Sequence, residues 1–226
     1  MNSKMQGLLN ETVNLEVTGK MDLEGTIIDI GSDTLVVYDG NDYLYIPVTH
    51  IQNLTFNNDN DNEIGCPADS PCIDSENING EFSLKRILMK AVNMFTEVAV
   101  IGEQSLYGYI TNVKDDYLVF HSPVHKTIYI LLDHLKWLIP HPDHGQLYGF
   151  ANESFLNQSV DTQLASTFEN LITEAKGEFV VVNMGESVNH IGKIKSIEGG
   201  FIEVQPARAS SMYVNMHHIK TLQIVK

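Results

Sequence analysis

Basic residues are scarce in this chain. Lys and Arg number 14 against 29 Asp and Glu, a formal net charge of −15 over 226 residues. Nucleic-acid binding rests largely on cations that neutralise phosphates, and no Lys/Arg cluster alternates with aromatics. No nucleic-acid partner is expected. Long apolar runs are also missing. None approaches the ~20 residues of a membrane span, and Met1-Asn2-Ser3-Lys4 leads into no apolar signal region. No membrane partner is expected, and synthesis and retention in the cytosol of the producing cell are.

Cysteine is nearly absent. Cys66 and Cys72 are the two present, with five residues between them in an acidic stretch. Zinc takes about four ligands and favours pairs two to four residues apart. The two thiols read as a mobile reduced pair, with a loop disulfide or a cross-link between chains as the alternative in an oxidising setting. The fingerprints of nucleotide and hydrolytic sites (P-loop, dinucleotide glycines, Gly-x-Ser-x-Gly, His-Glu-x-x-His) are missing too. No carboxylate pair recurs in a fixed frame. The expectation is a protein that is not an enzyme, with no cofactor and no catalytic, cofactor-binding or metal-ligating residue.

What is present is a repeat. His50, His134 and His218 are spaced by 84 residues, each with a Tyr five positions before (Tyr45, Tyr129, Tyr213) and a Leu four after (Leu54, Leu138, Leu222). Gly25, Ile27 and Ile30 match Gly108, Ile110 and Val113, then Gly192, Ile194 and Ile197. Self-similarity at a fixed period marks a tandem array of one structural unit. The first offset is 83 in the glycine block and 84 in the histidine block, so one residue has been inserted between the blocks. Insertions favour hairpin tips. The expected tips are Asp39 to Asp42, Ser122 to His125 and Pro206 to Ala209, all rich in turn formers.

Alternation of apolar and polar residues over Val13 to Thr18 predicts a half-buried strand. Continuing along each copy gives about five short strands. A short helix is predicted ahead of each set. Leu164, Phe168, Leu171, Ile172 and Ala175 share a helical face, with Ser166 and Glu169 at capping-box spacing and Gly177 as a stop. Leu84, Leu88, Val92 and Phe95 do the same after Ser83, and Ser3, Gln6, Met5, Leu8 and Leu9 form a shorter version. The expected fold class is mainly β with short helices (α+β): three tandem Sm-like or SH3-like small barrels, each a helix followed by about five antiparallel strands. The expected division is a first module at 1–56, an acidic Cys-containing linker at 57–82, a second module at 83–140, a linker at 141–161 and a third module at 162–226. Residues 57–81 carry seven acidic and no basic side chains, which suits a loosely ordered linker.

Four candidate sites have a bland reading beside the chemical one. A residue repeated in every copy usually belongs to the unit's construction, so the histidines read as strand-end groups bonded to backbone rather than as a converging ligand set. The repeated tyrosines read as core or rim aromatics. Asp59-Asn60-Asp61-Asn62-Glu63 begins like a calcium loop, but Ile64 stands where a Gly is needed and Ser70 where a bidentate Glu is needed. His141 and His144, near His134, have metal-compatible spacing, yet Pro140, Pro142 and Gly145 make the segment an ordinary linker start.

The close of each copy, with His217-His218-Ile219-Lys220-Thr221-Leu222 as the nearest instance, resembles the spore coat protein B family of endospore-forming bacteria. Asn183-Met184-Gly185-Glu186-Ser187, followed by Gly192, is similar to that family's Gly-Gly-Pro-Glu turn. The first two copies read Thr18-Gly19-Lys20-Met21 and Ile101-Gly102-Glu103-Gln104 there and depart from it. The resemblance implies a structural protein of the spore coat, made in the mother cell, whose partners are other coat proteins and itself. The strand order also resembles Sm-like RNA chaperones, which gives the alternative of a binding module for RNA or a small ligand.

Overall fold

The computed structural model describes residues 7–56, 64, 67, 69–75, 81–102, 104–141, 164–185 and 190–225. Each copy contributes five strands. The first holds β1 (Thr12–Val17), β2 (Met21–Ile30), β3 (Thr34–Tyr38), β4 (Tyr43–Pro47) and β5 (Ile51–Phe56). The second holds β6 (Phe95–Ile101), β7 (Gln104–Val113), β8 (Tyr117–Ser122), β9 (Lys126–Leu131) and β10 (Trp137–His141). The third holds β11 (Phe179–Val182), β12 (Ile191–Glu198), β13 (Phe201–Gln205), β14 (Met212–Asn215) and β15 (Thr221–Val225). Period-2 patterning explains β1: Val13, Leu15 and Val17 are buried while Asn14 is exposed. The third and fourth strands of each copy are joined at the tips read from the sequence, around Gly40, Pro123 and Arg208. Every copy also carries a register shift at one place in its second strand, between Ile27 and Asp29, Ile110 and Asn112, and Ile194 and Ser196. A bulge there bends the strand and increases its twist.

Two α-helices occur among the described residues, α1 (Leu84–Lys90) and α2 (Phe168–Glu174). In α2 the N-cap is Thr167, one residue after the predicted Ser166, and its hydroxyl accepts from Asn170 N at 3.4 Å. Phe168, Leu171 and Ile172 form its buried face. In α1 the chain turns left-handed at Asn93 (φ 65°), so Val92 and Phe95 lie beyond the helix. Ser3, Met5 and Gln6 of the first predicted helix lie outside the described residues, and Leu8 and Leu9 sit in a turn.

The expectation of three separate helix-led barrels is overturned. The strands form one fifteen-stranded antiparallel sheet in the order β14-β13-β12-β11-β15-β9-β8-β7-β6-β10-β4-β3-β2-β1-β5. The fourth strand of one copy pairs with the fifth strand of the next, β4 with β10 and β9 with β15. Edge strands expose rows of backbone donors and acceptors, and the neighbouring copy satisfies them. Each of the two seven-residue helices found among the described residues is bonded to the copy that precedes it.

The backbone divides into two compact units, 1–107 with 135–149 and 108–134 with 150–226. The first is built on Val13, Leu15, Ile27, Leu35, Val37 and Ile46, joined by Trp137 and Ile139 from β10. The second is built on Tyr117, Phe168, Ile172, Val180, Ile194 and Leu222. Burial of side chains of this size stabilises by about 1.5–3 kcal/mol each.

Candidate functional site: joints between copies and two open edges

The joints between copies follow one rule. In the first, Tyr45 of β4 stands opposite Leu138 of β10. In the second, Tyr129 of β9 stands opposite Leu222 of β15. The repeated Tyr of one copy thus meets the repeated Leu of the next. Tyr45, Leu138 and Leu222 are fully buried. Tyr45 donates its hydroxyl hydrogen to Ile73 O at 2.7 Å and accepts from Ile73 N at 3.1 Å. Burial pushes that hydroxyl far above the usual tyrosine range, which keeps it neutral. Tyr129 packs edge-on against Tyr117, ring centroids 6.1 Å apart.

A second repeated contact accompanies each joint. Asp33, in the turn between β2 and β3, accepts the amide hydrogen of Leu84, the first residue of α1, at 2.8 Å. Asp116, in the turn between β7 and β8, accepts from Phe168 N, the first residue of α2, also at 2.8 Å. Backbone bonds run beside them, Ser32 N to Phe82 O and Asp115 N to Ser166 O. The first amides of a helix lack intrahelical partners and attract negative charge, so each aspartate ties the next helix to its own copy. In the third copy the position is Gly200: Met216 N bonds Gly200 O just as Val48 N bonds Asp33 O and Leu132 N bonds Asp116 O. Sequence reasoning missed this pair, although the 83-residue offset already aligns the two aspartates.

Two strands have one neighbour each among the described residues. β14 pairs with β13, and β5 pairs with β1. The burial of equivalent positions changes at these edges. Tyr213 is 66% exposed where Tyr45 is 0% exposed. Asn53 is exposed where Trp137 and Thr221 are buried. Phe56 is 51% exposed where Pro140 is buried. Edges of monomeric proteins are commonly blunted by charge or proline, yet neither β14 (Met-Tyr-Val-Asn) nor β5 (Ile-Gln-Asn-Leu-Thr-Phe) carries either. The register shift of β5 against β1 falls at its start, before Leu54.

The three repeated histidines end equivalent 3-10 turns, Val48–His50, Leu132–His134 and Met216–His218. Their surroundings differ. His50 is buried and its Nδ1 lies 2.8 Å from Thr18 Oγ1. His134 Nε2 lies 2.9 Å from His217 O. His218 is exposed, and its carbonyl accepts from Asn183 Nδ2 at 3.3 Å while Asn183 Oδ1 accepts from Lys220 N at 2.7 Å. The structure does not bring the three imidazoles together. Among the described residues no group of three or more His, Cys, Asp or Glu could hold a metal ion. His141 packs near Phe95, ring centroids 6.3 Å apart. Cys72 is half-buried, with its thiol 3.8 Å from Pro140 O, and burial raises its pKa. Cys66, Asp59 to Glu63 and His144 lie outside the described residues.

One polar cluster has the composition of a catalytic site. Lys195 Nζ lies 2.8 Å from Glu203 Oε1, Ser196 donates to Glu203 Oε2 at 2.8 Å, and Lys195 donates to Ser211 Oγ at 3.2 Å. A lysine that activates a serine must be neutral. Here the bond to Glu203 raises the Lys195 pKa, and the bonds from Lys195, Ser211 and Ser196 hold Glu203 down at about 2. The cluster is a charged clamp on the β12–β13 surface. No helix among the described residues is long and apolar enough to cross a membrane.

The family model described as the YwrJ third domain matches residues 167–222, which span α2, β11 to β14 and the first two residues of β15. A Bacillus subtilis (strain 168) protein described as uncharacterized protein YwrJ is 33% identical over 226 residues, covering 97% of this chain and 100% of its own length. Kinship along essentially the whole of both chains, and not in one copy alone, places this chain in the YwrJ family.

Proposed function

We propose that the protein is a non-enzymatic structural protein of the bacterial spore coat, which assembles with itself or with other coat proteins through its sheet edges. The observation that carries the assembly role is the pair of edges open among the described residues, β14 and β5, free of charge and proline and bearing exposed Tyr213 and Phe56. An open edge adds a strand from another chain, with main-chain hydrogen bonds giving affinity and alternate side chains giving selectivity. The coat setting rests on the resemblance of the copy ends to spore coat protein B. The test is to follow a fluorescently tagged copy through sporulation in the producing organism. Signal should collect on the forming spore and resist washing with high salt. A tag that stays diffuse in the mother cell throughout sinks the coat assignment.

A further inference from the structure

The joint rule has a consequence at the ends of the sheet. β4 and β9 each pair with the fifth strand of the following copy, Tyr45 opposite Leu138 and Tyr129 opposite Leu222. The same step taken from β14 requires a fifth strand with Leu at the matching place, and this chain has one with a side open among the described residues: β5, with Leu54. We infer that β14 of one chain pairs antiparallel with β5 of a second copy of this chain, with Tyr213 opposite Leu54, forming a head-to-tail joint that repeats the two internal ones.

Several observations converge on a second copy as the occupant. The two edges are opposite halves of one joint: among the described residues, a fourth strand lacks a fifth and a fifth lacks a fourth. The positions exposed at them, Tyr213 and Asn53, are those whose counterparts Tyr45, Trp137 and Thr221 the internal joints bury. Charge is compatible. Residues 1–56 hold eight acidic and two basic residues, while residues 168–226 hold six of each, so the joint sets an acidic first copy against a neutral third one rather than against a second acidic surface. The inference rests on the assembly reading above and names its partner and register.

Two further properties follow. The surfaces are different, so the contact is heterologous: it closes into a ring where the rotation allows and otherwise continues as a filament. Gly200 also stands where Asp33 and Asp116 cap a following helix. The joint between chains lacks that carboxylate and is weaker than the internal joints, as suits reversible assembly.

Two measurements on the full-length chain test this. The first is light scattering across about 1 to 100 µM, a range in which short interfaces associate. The wild type should rise from the mass of one chain to two or more. Tyr213→Lys and the double variant Asn53→Lys/Thr55→Lys alter exposed side chains only and should each stay at lower mass, with unchanged circular dichroism. The second is a cysteine trap in a Cys66→Ser/Cys72→Ser background. Directly opposed strand residues have Cβ atoms about 4.5–5.5 Å apart, within modest adjustment of a disulfide. Mixing Tyr213→Cys chains with Leu54→Cys chains under mild oxidation should give a disulfide dimer containing one of each, while either chain alone gives none in the same time. Monomeric mass at every concentration with no trapped dimer overturns the inference. Association that survives both lysine variants overturns it too, since another surface is then in use. In either case a tag that still collects on the spore leaves the coat reading standing, whereas a diffuse tag removes that reading without touching the joint.

Discussion

Asp33 and Leu84 lie fifty-one positions apart, and the aspartate carboxylate accepts the leucine amide at 2.8 Å, so the turn of one copy caps the helix that leads into the next. Asp116 and Phe168 repeat the relationship at 2.8 Å. A linear repeat is thereby made continuous: the sheet is shared through fourth and fifth strands, and the helices are shared through these carboxylates.

The caps can be removed singly. Asp116→Ala should lower stability by about 1 kcal/mol, the usual value for a lost N-cap acceptor, and Asp116→Asn should retain most of it. Asp33→Ala should behave in the same way. Urea unfolding checks both through the midpoint at constant slope. No loss in either alanine variant would show that the contacts are incidental.

Tyr45→Phe should cost about 1–3 kcal/mol, because it removes both the donor to Ile73 O and the acceptor of Ile73 N and leaves buried backbone groups unsatisfied. Limited proteolysis should then cut first between 69 and 75, the stretch that Tyr45 holds together with Tyr43, which donates to Asp69 O. Tyr213→Phe, altering an exposed residue of the same repeat position, should leave the stability of the single chain unchanged.

Gly108→Ala should destabilise by about 1–3 kcal/mol. A Cβ at Gly108 would come within 2.2 Å of the backbone oxygen of His121, which cannot move aside without displacing β8. Thermal unfolding by circular dichroism would show the lower midpoint. A wild-type midpoint would mean that the strands separate there with little resistance.

His121 gives a pH dependence. It is buried in β8, and burial followed by the charge of Lys126 lowers its pKa below the usual 6.5. The unfolded chain therefore binds the proton first as pH falls. Its contribution is fully present above about 6.5 and is lost progressively below it. Urea midpoints at a series of pH values between 7 and 5, compared for wild type and His121→Gln, should show a shallower decline in the variant. Parallel curves would remove His121 from the account.

Much of the local structure was legible in the chain. The hairpin tips at Asp39 to Asp42 and at Ser122 to His125, and the buried face of α2, could be read because turn formers and apolar period are local properties. The C-terminal limit of α1 was not legible, since Asn93 turns left-handed within an apolar pattern that continues to Phe95. The N-cap of α2 was misplaced by one residue because Ser166 and Thr167 are both capping types. The histidine frame was read correctly as a mark of the repeat, and it also held the register of the joints through Tyr45 and Leu138. That register was invisible because a period does not say which copy's Tyr meets which copy's Leu.

The sequence alone determined that one unit occurs three times, where its strands begin and turn, and that acidic charge dominates. Only the tertiary structure decided that the units are not separate barrels. Strand patterning specifies which face of a strand is buried, but not which partner its backbone edge takes. That choice depends on long-range pairing, in which β10 takes β4 and β15 takes β9, and it leaves β14 and β5 as the two ends of the sheet.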